Sequence, residues 1–216
     1  MNDGRVYSLL FAGVGGQGAL LAAEVTALAA VRSGNDVKQT EVHGVSQRGG
    51  SVETHLRFGR QVWSPIVTPG QADVVVGLEK LEALRFAPFA HPTQGVILAN
   101  DYEVIPGSVA DADEQYPHHA FEFLRQKGYR LLVLPASAMA RELGDGRMAN
   151  IVLTGALSTL LPISHDVWLD TLQSRIPEKL RQANLQAFAA GRERAAAPDA
   201  FDTDPVSTPT ARRIQP

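Results

Sequence analysis

The stretch VYSLLFAGVGGQGALLAAEVTALAAVR, residues 6–32, decides the fold that we predict for this chain. Val6 to Ala12 is a short apolar run, which is typical of a buried parallel strand. Gln17 to Arg32 is rich in alanine and leucine, which predicts a helix that Gly34 ends. Asp36 to Val42 is a second predicted strand. A strand, a glycine-rich turn, a helix and another strand open a doubly wound α/β domain.

The rest of the chain adds extended segments first and helices later. Ser51 to Gly59 alternates with period two, and Gln61 to Thr68 is a second extended segment, so we expect a half-exposed β-hairpin. Three more strands are predicted at Ala72 to Leu78, Gly95 to Asn100 and Arg130 to Pro135, and helices at Glu79 to Phe86, His118 to Lys127, Ala149 to Leu161, Ser164 to Arg175 and Pro177 to Arg194. The predicted fold class is α/β, with a Rossmann-like, doubly wound, mostly parallel sheet, an inserted or edge β-hairpin and a helical C-terminal part.

Length and proline content predict one domain followed by a tail. The 216 residues suit a single α/β domain, which we place at residues 1–195. Residues 196–216 hold four of the 13 prolines and almost no apolar pattern. Such a composition cannot bury enough apolar surface to order itself, so we predict a disordered C-terminal tail.

Composition excludes several classes of protein. The net charge of −3 provides no basic footprint for nucleic acid. The chain has no cysteine, which excludes disulfides, a catalytic thiol and any cysteine-ligated iron–sulfur cluster held by this chain itself. Its six histidines lack metal-ligand spacing, so we assign it no metal site. We also assign it no catalytic residue of its own. No secretory signal or membrane span is apparent, so we expect a cytoplasmic protein.

The glycine-rich turn is the first candidate site. Gly13, Gly15 and Gly18 match G-x-G-x-x-G between a predicted strand and a predicted helix, where backbone N–H groups can approach an anion. Glu41 lies near the end of the second predicted strand, where an acid that binds ribose would sit. The turn therefore indicates a nucleotide or phosphate site. The alternative is a turn whose glycines only allow the helix to pack closely on the sheet.

The second candidate site lies between two extended segments. Ser46, Gln47, Arg48, Gly49 and Gly50 combine one guanidinium with small residues, a setting that can bind an anion. The alternative is a hairpin entry turn with a solvated arginine.

Together the two motifs resemble the gamma-type domain of 2-oxoacid:ferredoxin oxidoreductases. The likeness rests on GVGGQG at 13–18, EVHGVSQRGGSVETHLRFG at 41–59 and ADVVVGLEKLEALR at 72–85. NIVLTGALSTLLP from Asn150 and IPEKLRQANLQAFAAG from Ile176 are also similar to that family. The resemblance covers roughly residues 5–191, and within the family it is greatest to the beta subunit of indolepyruvate ferredoxin oxidoreductases.

This resemblance implies a division of labour between subunits. A large alpha subunit would carry thiamine diphosphate, Mg²⁺ and [4Fe-4S] clusters and would pass electrons to ferredoxin, while the gamma-type domain helps to form the coenzyme A site. The resemblance also implies a dimer of heterodimers. The residues of this chain that it assigns to CoA are Gly13, Gly15, Gly16, Gln17 and Gly18 with Ser46, Gln47, Arg48, Gly49 and Gly50. Their backbone N–H groups and one guanidinium suit a pyrophosphate or 3′-phosphate.

Two other hypotheses about the function of this chain stay open at this point. One is a free-standing NAD- or FAD-binding dehydrogenase, which Glu41 supports, and the other is a nucleotide-binding regulatory module. The pair Glu79 and Glu82 indicates a solvated helix face. Trp63 and Trp168 are interpreted as core or interface residues.

Overall fold

The computed structural model describes residues 4–43, 50–104 and 116–201 of the chain. Its six strands are β1 Tyr7–Val14, β2 Asp36–His43, β3 Ser51–Gly59, β4 Val74–Gly77, β5 Val96–Asn100 and β6 Arg130–Leu134. The α-helices of the described residues are α1 Ala19–Arg32, α2 Lys80–Phe86, α3 Ala120–Gln126, α4 Ala136–Glu142, α5 Ala149–Leu157, α6 His165–Arg175 and α7 Glu178–Ala196. Within these residues, no helix combines the length and the apolar character needed to cross a bilayer.

All six strands form one sheet in the order β2-β3-β1-β4-β5-β6. β1, β4, β5 and β6 are parallel, whereas β3 runs antiparallel to both β1 and β2. The predicted fold class is confirmed, and an antiparallel hairpin does lie at the edge of the sheet. Its strands are β2 and β3, however, because residues 61–68 pair with no strand in the part of the chain that the structure describes.

Helices cover both faces of the sheet, as the doubly wound prediction requires. Leu9 and Phe11 of β1 face the cluster that α1 and the C-terminal helices complete, and the intervening Leu10 and Ala12 face α2 and α3. Because both faces are buried, the central strands are continuous apolar runs rather than alternating ones. Trp168 of α6 is fully buried in the first cluster, so its interpretation as a core residue is confirmed.

The two glutamates of the α2 region are buried, contrary to the solvated helix face that we expected. Glu79 is 1% exposed and Glu82 is 3% exposed. Glu79 caps α2, since its carboxylate accepts a hydrogen bond from the Glu82 N–H at 2.9 Å and others from the Val104 N–H and the Tyr116 hydroxyl. Glu82 accepts a hydrogen bond from the hydroxyl of Ser51, the first residue of β3. The i, i+3 spacing did not reveal that both glutamates are buried, because the donors Ser51, Val104 and Tyr116 are distant from them in sequence.

Folded structure continues past the predicted start of the tail. Helix α7 ends at Ala196, Ala200 is buried, and Phe201 forms a β-bridge with Leu132 of the edge strand β6. The Arg130 guanidinium lies 5.4 Å from the centre of the Phe201 ring. We therefore propose that the predicted tail starts after Phe201 rather than at residue 196. Residues 202–216 lie outside the described residues, so their disorder stays a prediction.

We predict different outcomes for two C-terminal truncations. Removal of residues 202–216 should leave the free energy of unfolding unchanged, because their proline-rich sequence has too little apolar surface to pack against the domain. Removal of residues 197–216 should lower it by about 1–3 kcal/mol, since Ala200 and Phe201 lose their contacts. Urea unfolding measures both values. Equal stability of the two truncated chains would contradict the packing of residues 197–201.

We also predict that Glu82→Gln changes how stability depends on pH. Burial is the main cause that raises the pKa of Glu82 above its ordinary value of 4.5, so the folded protein holds this proton more tightly than the unfolded chain. The wild type therefore loses stability from this group as the pH rises from 4.5 through the raised pKa. The stability of Glu82→Gln relative to wild type should increase over that range in urea titrations. A difference that is constant with pH would contradict the prediction.

Candidate functional site

The glycine-rich turn connects β1 to α1 and is closed by its own hydrogen bonds. The Val14 N–H donates to Gln17 Oε1 at 2.9 Å, and the Gln17 N–H donates to the Val14 carbonyl at 3.1 Å. Gly16 and Gly18 have φ angles of 100° and 84°, a left-handed conformation that favours glycine. Gln17 thus has a structural role that the sequence motif did not reveal.

The N-terminus of α1 is suited to an anion. Gly18 is the N-cap residue, no side-chain hydrogen bond caps the helix, and its first turn contains no acidic residue. The first N–H groups of a helix have no carbonyl partner within that helix, and the helix dipole adds a partial positive charge at this end. A phosphate could therefore accept hydrogen bonds here without displacing a side chain.

The structure brings the end of the second motif to the glycine turn. In the antiparallel pairing of β1 and β3, Val14 lies opposite Ser51, and the Gly15 N–H donates to the Gly50 carbonyl at 2.9 Å. Gly13, Gly15, Gly16, Gln17, Gly18 and Gly50 therefore lie together. The other four predicted site residues, Ser46, Gln47, Arg48 and Gly49, lie outside the described residues.

Asn150 is a further residue of the turn, which the sequence analysis did not select as a site residue. Its Nδ2 donates to the Gly18 carbonyl at 3.2 Å, and its Oδ1 accepts a hydrogen bond from the Ile151 N–H at 2.9 Å. A Cβ atom at Gly18 would collide with the Asn150 amide, so only glycine permits this contact. The available signal was its position at the start of the NIVLTGALSTLLP segment that resembles the family.

A cavity of about 240 Å³ lies beside the turn, at the carboxyl ends of the parallel strands. We call it the arginine cavity, after the two arginines among its lining residues Gly16, Gln17, Asn100, Ser137, Arg141 and Arg147. The carboxyl edge of a parallel sheet is where open α/β folds bind ligands. A guanidinium binds phosphate oxygens well, so the arginines of this lining are compatible with a phosphate.

The floor and the arginines of this cavity are held by defined contacts. Asn100, buried at the end of β5, donates to the Leu78 carbonyl at 3.1 Å and to Ser137 Oγ at 2.8 Å. The Arg141 guanidinium lies 5.8 Å from the centre of the Tyr102 ring. Arg147 forms an ion pair with Asp145 that raises the pKa of the arginine and lowers that of the aspartate. Asp145 therefore balances the charge of Arg147, whereas Arg141 forms no ion pair within the described residues.

A second cavity, of about 530 Å³, lies on the other side of the turn and has the opposite charge. We call it the glutamate groove. It is lined by Gly15, Gly16 and Gly18, by the first residues of α1 (Ala19, Leu20 and Leu21), and by Glu24, Glu41, Glu53 and Arg175. Arg175 pairs with Glu24 at 2.5 Å, so two carboxylates are left to repel a phosphate.

Glu41 does not have the position of a ribose-binding acid in a simple βαβ unit. It lies opposite Thr54 of β3, and Thr54 lies opposite Phe11 of β1. Strand β3 therefore separates Glu41 from β1, whereas the ribose-binding acid of a simple βαβ unit lies on a strand next to β1. The structure gives no additional support to the hypothesis of an NAD-binding dehydrogenase.

No group of three or more histidine, cysteine, aspartate or glutamate side chains within residues 4–43, 50–104 and 116–201 could hold a metal ion. His118, for example, contacts only one carboxylate in this part of the chain, at 2.8 Å from Glu103. That metals and clusters belong to a partner subunit stays a prediction.

Known proteins share this fold. The gamma subunit of a keto/oxoacid ferredoxin oxidoreductase from Geobacter sulfurreducens superposes with a TM-score of 0.65 at 24% identity, over 88% of this chain and 98% of that chain. A 2-oxoglutarate:ferredoxin oxidoreductase from Magnetococcus marinus gives a TM-score of 0.67 at 22% identity. That comparison covers 88% of this chain but only 31% of the longer protein.

Sequence relatives extend the likeness beyond the fold. The indolepyruvate oxidoreductase subunit IorB of Archaeoglobus fulgidus is 36% identical, over 87% of this chain and 94% of that protein. The subunit of the same name from Thermococcus kodakarensis is 34% identical, over 87% of this chain and 95% of that protein. The resemblance inferred from the two glycine motifs is thereby confirmed. With residues 8–194 also matching the family described as pyruvate ferredoxin/flavodoxin oxidoreductase, this chain belongs to that family.

Proposed function

We propose that this chain is the small, gamma-type subunit, termed beta, of a thiamine-diphosphate-dependent 2-oxoacid:ferredoxin oxidoreductase that acts on indolepyruvate and related arylpyruvates. The observation that carries this proposal is the 30–36% identity to four archaeal IorB subunits along nearly their whole length. More distant relatives named for 2-oxoglutarate and ketoisovalerate are only 25–28% identical. The sequence therefore favours an aryl substrate over these two.

We assign the redox chemistry to a large alpha subunit in a cytoplasmic dimer of heterodimers. Thiamine diphosphate with Mg²⁺ and [4Fe-4S] clusters, when bound there, supply oxidative decarboxylation and electron transfer to ferredoxin. This chain lacks cysteine and so has no thiolate ligand for a cluster. The contribution that we assign to this chain is to bind and orient a substrate of the complex.

We infer that this contribution is part of the coenzyme A site. A phosphate of CoA would lie against Gly16 and Gln17 of the glycine turn and face Arg141 and Arg147 in the arginine cavity. The glutamate groove disfavours the same phosphate, so the charge distribution selects one side of the turn. The Magnetococcus marinus structure contains bound coenzyme A, which supports CoA as the ligand.

The second motif would complete this site. Arg48 is proposed to supply a third guanidinium, because Gly50, two residues later, is hydrogen-bonded to Gly15 of the turn. Ser46, Gln47 and Gly49 are proposed to line the same side. An arginine suits this role better than a lysine, since its planar fork can bind two phosphate oxygens at once.

Reconstitution tests the proposed reaction. The chain co-purified with its large subunit should reduce viologen with indolepyruvate, phenylpyruvate or 4-hydroxyphenylpyruvate in the presence of CoA, and the isolated chain should not. A complex that prefers pyruvate or 2-oxoglutarate would contradict the aryl substrate. NAD reduction by the isolated chain would contradict the assignment as a subunit.

We predict that Gly16→Ala impairs CoA binding, and Gly34→Ala is a matched control. Both glycines have positive φ angles, 100° and 81°, and a Cβ atom at either position would meet no other atom within 4 Å. Each alanine should therefore cost about 1–2 kcal/mol of backbone strain. Because only Gly16 lines the arginine cavity, Gly16→Ala alone should raise the KM for CoA, by about tenfold.

Steady-state CoA titration of the two reconstituted variants provides the measurement. The KM for the 2-oxoacid should stay within about twofold of wild type in both, since neither glycine is proposed to contact that substrate. Equal CoA dependence in the two variants would show that the turn only packs against the sheet.

A further inference from the structure

The loop that follows β3 displays two large apolar side chains between two buried ones. Val62 and Val67 are 3% and 2% exposed, whereas Trp63 is 85% exposed and Ile66 is 50% exposed. Trp63 is the most exposed of the large hydrophobic residues in the described part of the chain. The packing of the domain does not account for a tryptophan in this position, so of its two interpretations, core or interface residue, the first is excluded.

Hydrogen bonds hold this loop in one conformation. The Val62 N–H donates to Asp36 Oδ2 at 2.8 Å, and the Val67 N–H donates to the buried His55 Nδ1 at 3.1 Å. Between these two anchors, Arg57 donates to the Ser64 carbonyl at 3.2 Å. Trp63 is therefore presented on a fixed backbone, and its docking would cost little conformational entropy.

The loop lies at the opposite end of the sheet from the glycine turn. Phe58, next to the end of β3, pairs with Tyr7 at the start of β1, whereas the turn follows Val14 at the other end of β1. Eight residues of extended chain span roughly 25 Å. A ligand bound at the turn therefore does not cover Trp63, and this surface is available to a macromolecule.

Positive charge surrounds the two apolar side chains. Ile66 lines a polar cavity of about 540 Å³ together with Arg5, Arg57, Asp73 and His91. Arg5 pairs with Asp73, whereas Arg57 donates to neutral oxygens of Ser8 and Ser64. An exposed Arg60 lies three residues before Trp63. A partner surface with carboxylates would complement this excess of guanidinium groups.

We propose that Trp63 and Ile66 dock into an apolar pocket with an acidic rim on the large subunit of the complex. The choice of occupant rests on the proposed function, and the surface itself rests on exposure, rigidity and charge. In the Magnetococcus marinus protein a similar fold forms 31% of one longer chain, whereas the IorB relatives are covered to 94–95% and hence have little chain left for a fused partner. Such a separate subunit must be held by non-covalent contacts, for which a central tryptophan is a common anchor.

The test measures the dissociation constant between the chain and its large subunit by isothermal titration calorimetry. Trp63→Ala should raise it at least about tenfold, and Trp63→Phe should recover part of the loss. The control is Val31→Ala, which removes an exposed side chain of α1 (53% exposed) and should change nothing. Melting temperatures of the isolated variants should match the wild type, because neither residue is buried.

The charge of the partner surface is tested by Arg60→Glu. This reversal should weaken binding, and tighter binding would show that the partner surface is basic, which would overturn the proposal. Unchanged affinity of Trp63→Ala with an active wild-type complex would overturn only the docking surface. Failure of the wild-type subunits to associate would overturn the proposed function as well. A homodimer that Trp63→Ala dissociates would assign the surface to a second copy of this chain and so overturn the proposal.

Discussion

The antiparallel pairing of β3 with β1 is the constraint on which the site depends. Eight residue pairs, from Tyr7 with Phe58 to Val14 with Ser51, insert β3 between β1 and β2. This register places Gly50 opposite the turn, where its carbonyl accepts the Gly15 N–H. A shift by one residue would turn the side chains of β3 to the other face of the sheet, so the buried face also fixes where the two motifs meet.

Buried carboxylates support this register from the side of α2. Ser51 donates to Glu82, and Glu79 begins the same helix with three hydrogen-bond donors around its carboxylate. A carboxylate out of water is tolerated only when hydrogen bonds replace its hydration. The start of β3 is therefore attached both to the glycine turn, through Gly50, and to α2, through Ser51.

The domain separates its two proposed tasks along the length of the sheet. At the carboxyl ends of the parallel strands, the arginine cavity and the glutamate groove meet at Gly16 of the turn and differ in charge. At the amino ends, the rigid loop carries Trp63 outward beside Arg57 and Arg60. Binding of a phosphate at one end and of a protein surface at the other end can therefore proceed without steric competition.

The sequence by itself determined the local elements and the family. The β1–turn–α1 unit, the later parallel strands and the C-terminal helices follow from apolar periodicity and from glycine, whose effects act over a few neighbouring residues. The two glycine motifs were sufficient to indicate the oxoacid:ferredoxin oxidoreductases. They also contain Gly15 and Gly50, which form a hydrogen bond with each other in the structure.

Only the tertiary structure decided the strand order, the true hairpin partner of β3, the burial of Glu79 and Glu82 and the contact between Asn150 and Gly18. Each of these depends on atoms that are distant in sequence; 132 positions separate Gly18 from Asn150. Local periodicity carries no information about which distant segment supplies a neighbour. Burial and register are set instead when the layers pack, because hydrogen bonds and apolar contacts between distant segments must then be satisfied together.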